Sequence, residues 1–216
     1  MRYVMAVISV LVMCVPAQAH VTFNQFDLMT GKEAGWYFFA QGFQHILPLG
    51  FDHILFVLSL YLLSSKWSTI IKQATAFTVA HSLTLGLAMY GVIEPPSSVI
   101  EPLIAISIVA VALENIISPK LRTSRLGVVF LFGLVHGLGF AGALSELGLP
   151  QKHFLTTLLT FNVGVELGQV TVILLAYLFV GRWFSGKEYY RRRIVVPSSA
   201  LIAIVAAVWT VQRIVG

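Results

Sequence analysis

The sequence predicts an all-α fold, a polytopic membrane bundle of six transmembrane helices behind a cleaved signal peptide. Three observations predict it. Hydrophobic residues fill 57% of the 216 positions and charged residues only 11%, and the mean hydropathy is +0.86, which leaves too little polar surface to coat a soluble domain. Apolar segments of near-spanning length recur at about 44–64, 73–93, 98–118, 125–146, 153–181 and 194–213. Between them the basic residues fall in short clusters, so the net charge of +5 reports topology and a lipid bilayer, not a nucleic-acid partner. Each span must be helical, because lipid offers backbone groups no partners.

Residues 1–19, MRYVMAVISVLVMCVPAQA, have a basic start at Arg2, a short apolar core, a break at Pro16 and the closing Ala17-Gln18-Ala19. This is the pattern of a secretory signal with an A-x-A cleavage site. Cleavage there would make His20 the mature N-terminus, with an amine and an imidazole to offer a metal. The sole cysteine, Cys14, lies inside the signal, so a metal site must use nitrogen and oxygen. Residues 20–40 are mixed in polarity and read as a short periplasmic lead-in with an interfacial turn around Trp36, Tyr37, Phe38 and Phe39.

With His20 outside, each span flips the chain. The cytoplasmic loops then hold Lys66, Lys72, Lys120, Arg122, Arg125, Arg182, Lys187, Arg191, Arg192 and Arg193, against Lys32, Lys152 and Arg213 outside. That asymmetry predicts both mature termini in the periplasm of a bacterial inner membrane. Six short helices can work alone or as a homo-oligomer, and residues 20–216 read as one helical domain.

A charged side chain at mid-membrane costs about 2.5 to 3.5 kcal/mol on insertion scales. Asp52, Glu101, Glu114 and Glu166 all fall within the spans, and unpaired they would together cost roughly 10 kcal/mol, as much as a whole protein's net stability. They must be paired, protonated, hydrated or metal-bound. In the first span, GFQHILPLGFDHILF, His45 and Asp52 are seven apart and share a face if the helix persists, with His53 about 100° round. Pro48 and Gly50 can break that helix and let its backbone line a polar cavity. In the second, FTVAHSLTLGL, His81 is flanked by Ser82, Thr78 and Thr84, whose hydroxyls can hold the ring or cap helix carbonyls.

The third span carries Glu101 near one end and Glu114-Asn115 near the other, about 20 Å apart along the axis and unable to share one ligand set. In the fourth, FGLVHGLGFAGAL, Gly133 and Gly137 allow close helix approach, which leaves His136 unexplained. The fifth, FNVGVELGQ, sets Asn162, Glu166 and Gln169 on one stripe that should face the bundle interior.

No HExxH, GxSxG, phosphate-loop or GxGxxG signature occurs. Six candidates, His45, Asp52, His53, His81, His136 and Glu166, come instead from four spans, the arrangement from which bundle-core metal sites are built. His20, Glu101, Glu114, Asn162 and Gln169 are further candidates. Imidazole with carboxylate suits nickel, cobalt, zinc or copper better than calcium or magnesium.

The signal ending before His20, GFQHILPLGFDHILF, FTVAHSLTL, EPLIAISIVAVALEN, FGLVHGLGFAGAL and FNVGVELGQ together resemble the HupE/UreJ family over nearly all of the mature chain. The resemblance implies a secondary permease for nickel or cobalt, with His45, Asp52 and His53 matching the family's His-and-Asp-His motif. Hydrogenase-linked members usually carry proline directly after the first histidine, where Ile46 stands here, and this leaves the metal open. Two other classes stay in view. One is an intramembrane zinc hydrolase, in which three protein ligands hold the ion and an open position activates water. The other is an assembly protein for metalloenzymes whose polar residues only lock helices.

Overall fold

The computed structural model describes residues 28–64, 66–122, 124–147 and 153–216, with the side chains of 142–147 left aside. The signal segment, Cys14 and His20 lie outside the described residues. Among the described residues there are seven helices and no strand: α1 (Gly31–Ile46), α2 (Phe51–Leu63), α3 (Trp67–Met89), α4 (Ser97–Ile117), α5 (Arg125–Leu147), α6 (Phe154–Phe184) and α7 (Arg191–Val215). The last two contain wider π turns at Tyr177–Gly181 and Arg191–Val195.

Three helices, α4, α6 and α7, are long and apolar enough to cross a membrane, and α1 with α2 qualifies as a fourth, bent pair. α3 is as long as α6's regular part, but Lys72, Gln73, His81 and its Ser and Thr residues dilute its apolarity. The apolar stretch counted in α5 is Arg125–Ala141. Large aliphatic side chains such as Leu103, Val163, Leu167, Leu201 and Ile204 are exposed on the outside of the bundle, where lipid replaces water as their solvent. The chain is a multi-pass, all-α membrane protein.

One expectation is corrected and one alternative decided. Residues 31–40 are not a lead-in: Thr30 caps α1 with a full capping box to Glu33, and the helix runs on to Ile46. Its mixed polarity disguises it, because one face packs Ala34, Phe38 and Ile46 into the core while Gln41 and Gln44 line a cavity. The segment 44–64 takes the break that Pro48 and Gly50 allow. The chain breaks between Ile46 and Phe51, with α1 and α2 bent 67° to one another. Pro48 has no backbone N–H to continue α1, and Gly50 lies against the His45 carbonyl where any Cβ would clash.

Helices meet through glycine, the expected device where dispersion rather than hydrophobicity drives association. α1 crosses α6 with Gly42 against the Phe161 carbonyl and Gly164 against the Phe39 carbonyl. α3 crosses α5 with Gly137 against the His81 carbonyl and Thr84 Oγ1, and Thr84 donates across to the Leu134 carbonyl at 2.7 Å.

One end of the bundle is locked by a buried cation. Arg125, 3% exposed, pairs with Glu114 at 2.7 Å, donates to Gln73 Oε1 at 2.9 Å and reaches Asn115 Oδ1 at 3.3 Å. Asn115 in turn donates to the Ser59 carbonyl at 2.7 Å and Ser199 Oγ at 3.3 Å. Residues from α2, α3, α4, α5 and α7 thus share one network. Arg191 closes it from outside by donating to the Ile116 and Asn115 carbonyls at 2.8 and 3.0 Å, which caps the C-terminus of α4.

Candidate metal site

The break at Pro48 determines where the first-span histidines go. His45 ends α1 and His53 lies in the first turn of α2, so the bend folds the two rings together, their centroids 4.6 Å apart. His81 approaches from α3, with ring centroids 6.2 Å from His45 and 5.9 Å from His53. Each of the three rings offers a nitrogen within 4.8 Å of the others, a set that could hold a metal ion. His81 is fully buried and neither of its ring nitrogens has a partner, while His45 Nε2 and His53 Nε2 are also buried and unpaired. Buried imidazole nitrogens normally find hydrogen bonds, so four unpaired nitrogens in one place fit the donor set of a metal ion.

His136 of α5 joins the group from the other side, its centroid 5.0 Å from that of His53. Ser107 Oγ of α4 lies 2.6 Å from the Ile104 carbonyl, to which it can donate, and 2.9 Å from His136 Nε2. With its proton on that carbonyl it accepts from Nε2–H, the tautomer that leaves the lone pair on Nδ1. Nδ1 is buried and has no partner, and a neighbour that fixes the tautomer is how metal-ligating imidazoles are oriented. The Phe140 ring lies 3.8 Å from that of His45 at a tilt of 44°, and Phe56 and Phe77 crowd His136, giving the site apolar walls.

A cavity of about 490 Å³ leads to these rings, lined by Gln41, Gln44, His45, Asp52, His53, Glu101, His136 and Arg213 among others. Asp52 lies at its wall, one residue from His53, with Oδ2 paired to Arg213 at 2.9 Å and Oδ1 buried and free. Glu101 is exposed and lines the same cavity.

Histidines from the first two predicted spans thus form one cluster, because the bend carries His45 and His53 to His81. Glu166 stands apart. It accepts from Thr75 Oγ1 at 2.8 Å and lines a groove between α3 and α6 with Thr78, Ser82 and Asn162. Asn162 is buried, donating to its own helix at Leu158, and Gln169 is fully buried with both amide atoms unpaired. Glu114 belongs to the Arg125 lock at the far end.

Sequence reasoning missed Ser107, Arg213 and Phe140. Ser107 lies 29 residues from His136 and Arg213 161 residues from Asp52, and no local spacing signals either contact.

Fold and site define an integral-membrane helical bundle with a buried polyhistidine centre at the foot of a polar vestibule. The chain belongs to the HupE/UreJ family, whose model, described as HupE / UreJ protein, matches residues 19–213. No curated protein and no solved structure matches it.

Proposed function

We propose that this protein is a secondary transporter for a divalent transition metal, nickel or cobalt, in the bacterial inner membrane. Residues 1–19 act as its cleaved leader, the chain crosses the membrane six times, and both mature termini lie in the periplasm. The observation that carries the reading is the set of three imidazoles from α1, α2 and α3 whose nitrogens converge within 4.8 Å beside a polar cavity. Membership of a family associated with nickel and cobalt transport supports the choice of metal.

In this reading the ion enters the vestibule hydrated, since about 490 Å³ exceeds the ~180 Å³ that six waters occupy at ~30 Å³ each. Asp52 and Glu101 balance its charge as water is lost. His45, His53 and His81 take it up, with His136 Nδ1 as a fourth ligand, a nitrogen-rich set that suits a transition metal and rejects calcium or magnesium. Asn162, Glu166 and Gln169 descend one stripe of α6 over about 10 Å and line the way inward. No nucleotide-binding motif is present in the sequence, so the energy comes from gradients or from a partner.

The test is uptake of nickel and cobalt into sealed vesicles containing the purified protein, with His81→Ala and His136→Ala in parallel. Saturable uptake that both variants abolish is the expected result. One tightly retained ion with no flux overturns the transporter and is the result expected of an intramembrane zinc hydrolase.

A further inference from the structure

We propose that Arg213 is the cation gate of this site. Its guanidinium holds Asp52 in the empty protein and is displaced when a divalent ion loads, so it sets the affinity and valence selectivity of the histidines. The proposal rests on the transporter reading above.

Arg213 sits in the last turn of α7, the least buried of the spanning helices, yet its side chain turns inward to the vestibule. One nitrogen contacts Asp52 Oδ2 of α2 at 2.9 Å and another donates to the Glu101 carbonyl of α4 at 3.2 Å. Asp52 is one residue from His53, so the carboxylate best placed to neutralise an incoming ion is already neutralised by a fixed cation. A group needed only to brace α7 could pair anywhere along α2 or α4. This one lines the same cavity as His45, His53 and His136.

The contact is built to be exchanged. Arginine binds carboxylate most firmly through a two-pronged fork, whereas here a single nitrogen of Arg213 touches a single oxygen of Asp52, and Asp52 Oδ1 is left buried and unpaired. Both side chains are about a quarter exposed, 24% and 28%, so the pair is weakened by solvent. A released guanidinium keeps the Glu101 carbonyl, and the Trp209 ring lies 5.8 Å from it as a second resting place. A divalent ion attracts Asp52 twice as strongly as a monovalent one at the same distance. Only the former displaces a charge of equal sign already in place, so the pair acts as a filter on valence.

Nickel chloride binding to the full chain in lipid nanodiscs, with thermal unfolding alongside, tests this. Arg213→Gln is expected to bind nickel about tenfold more tightly at unchanged stoichiometry, and Arg213→Lys, which keeps the charge, to bind as the parent does. Asp52→Asn is expected to bind at least tenfold more weakly, and the double variant Arg213→Gln/Asp52→Asn no better than Asp52→Asn, because the arginine acts only through that carboxylate. Arg213→Met, which keeps the stem over Trp209, is expected to repeat the tighter binding should Arg213→Gln fold poorly. Parent-like or weaker nickel binding in folded Arg213→Gln or Arg213→Met overturns the gate while the parent still binds. A parent that binds no nickel overturns the transporter reading, and the gate with it.

Discussion

At the scale of single residues, the site is marked by buried nitrogens without hydrogen-bond partners. Burying a polar atom with no hydrogen bond costs about 1–3 kcal/mol, and His81 alone carries two such atoms. His81→Ala is accordingly expected to lower nickel affinity at least tenfold while leaving the helix intact, measured by equilibrium dialysis in detergent. Ser107→Ala removes the hydrogen-bond partner of His136 Nε2 without changing any proposed ligand. Loss of such an orienting partner typically costs 10–100-fold in affinity, and the same dialysis reads it. The identity of every histidine in the cluster was legible in the sequence from charge and imidazole at membrane depth. Their convergence was not, because Pro48 and Gly50 left open whether the helix breaks and no spacing gives the 67° bend.

Helices and their crossings explain how these residues come to meet. His81 reaches the cluster because α3 and α5 approach until the Gly137 backbone touches the His81 carbonyl. Gly137→Ala would drive a methyl group into that carbonyl and into Thr84 Oγ1. It should destabilise the fold by about 1–3 kcal/mol, read as a lower midpoint of thermal unfolding. Gly127 is the internal control, since nothing lies within 4 Å of a Cβ built there, and Gly127→Ala should be neutral or stabilising by up to ~1 kcal/mol. Small-residue pairing was visible in the sequence for α5, at Gly133 and Gly137. α1 was not, because its Gln41 and Gln44 face the vestibule while Phe38 and Ile46 face α6, and that division averages to the polarity of a loop.

The charged side chains inside the bundle gather in two networks, with Glu166 the charged residue apart from both. The vestibule end gathers Asp52, Glu101 and Arg213, and the other end gathers Glu114, Asn115 and Arg125. Charge counting placed Arg125 in a loop, but burial at 3% makes it a structural cation. Arg125→Ala would leave Glu114 without its partner at a cost of about 3–5 kcal/mol. Unfolding should register that loss, with nickel affinity retained in the folded fraction, because the histidines lie at the opposite end. Topology is tested by cysteine labelling in a Cys14→Ala background. Glu94→Cys should react with an impermeant reagent from outside, and Gly186→Cys only after the membrane is opened.

X-ray absorption on the nickel-loaded full chain in nanodiscs tests the central claim most directly, because it reads the ligands of the bound ion. One nickel per chain is predicted, with imidazole scattering from at least three rings at about 2.0–2.1 Å, the usual metal–imidazole distance. That imidazole count should fall in His45→Ala, His53→Ala and His81→Ala alike. An ion held only by oxygen, or one whose shell is unchanged in all three variants, would contradict the account.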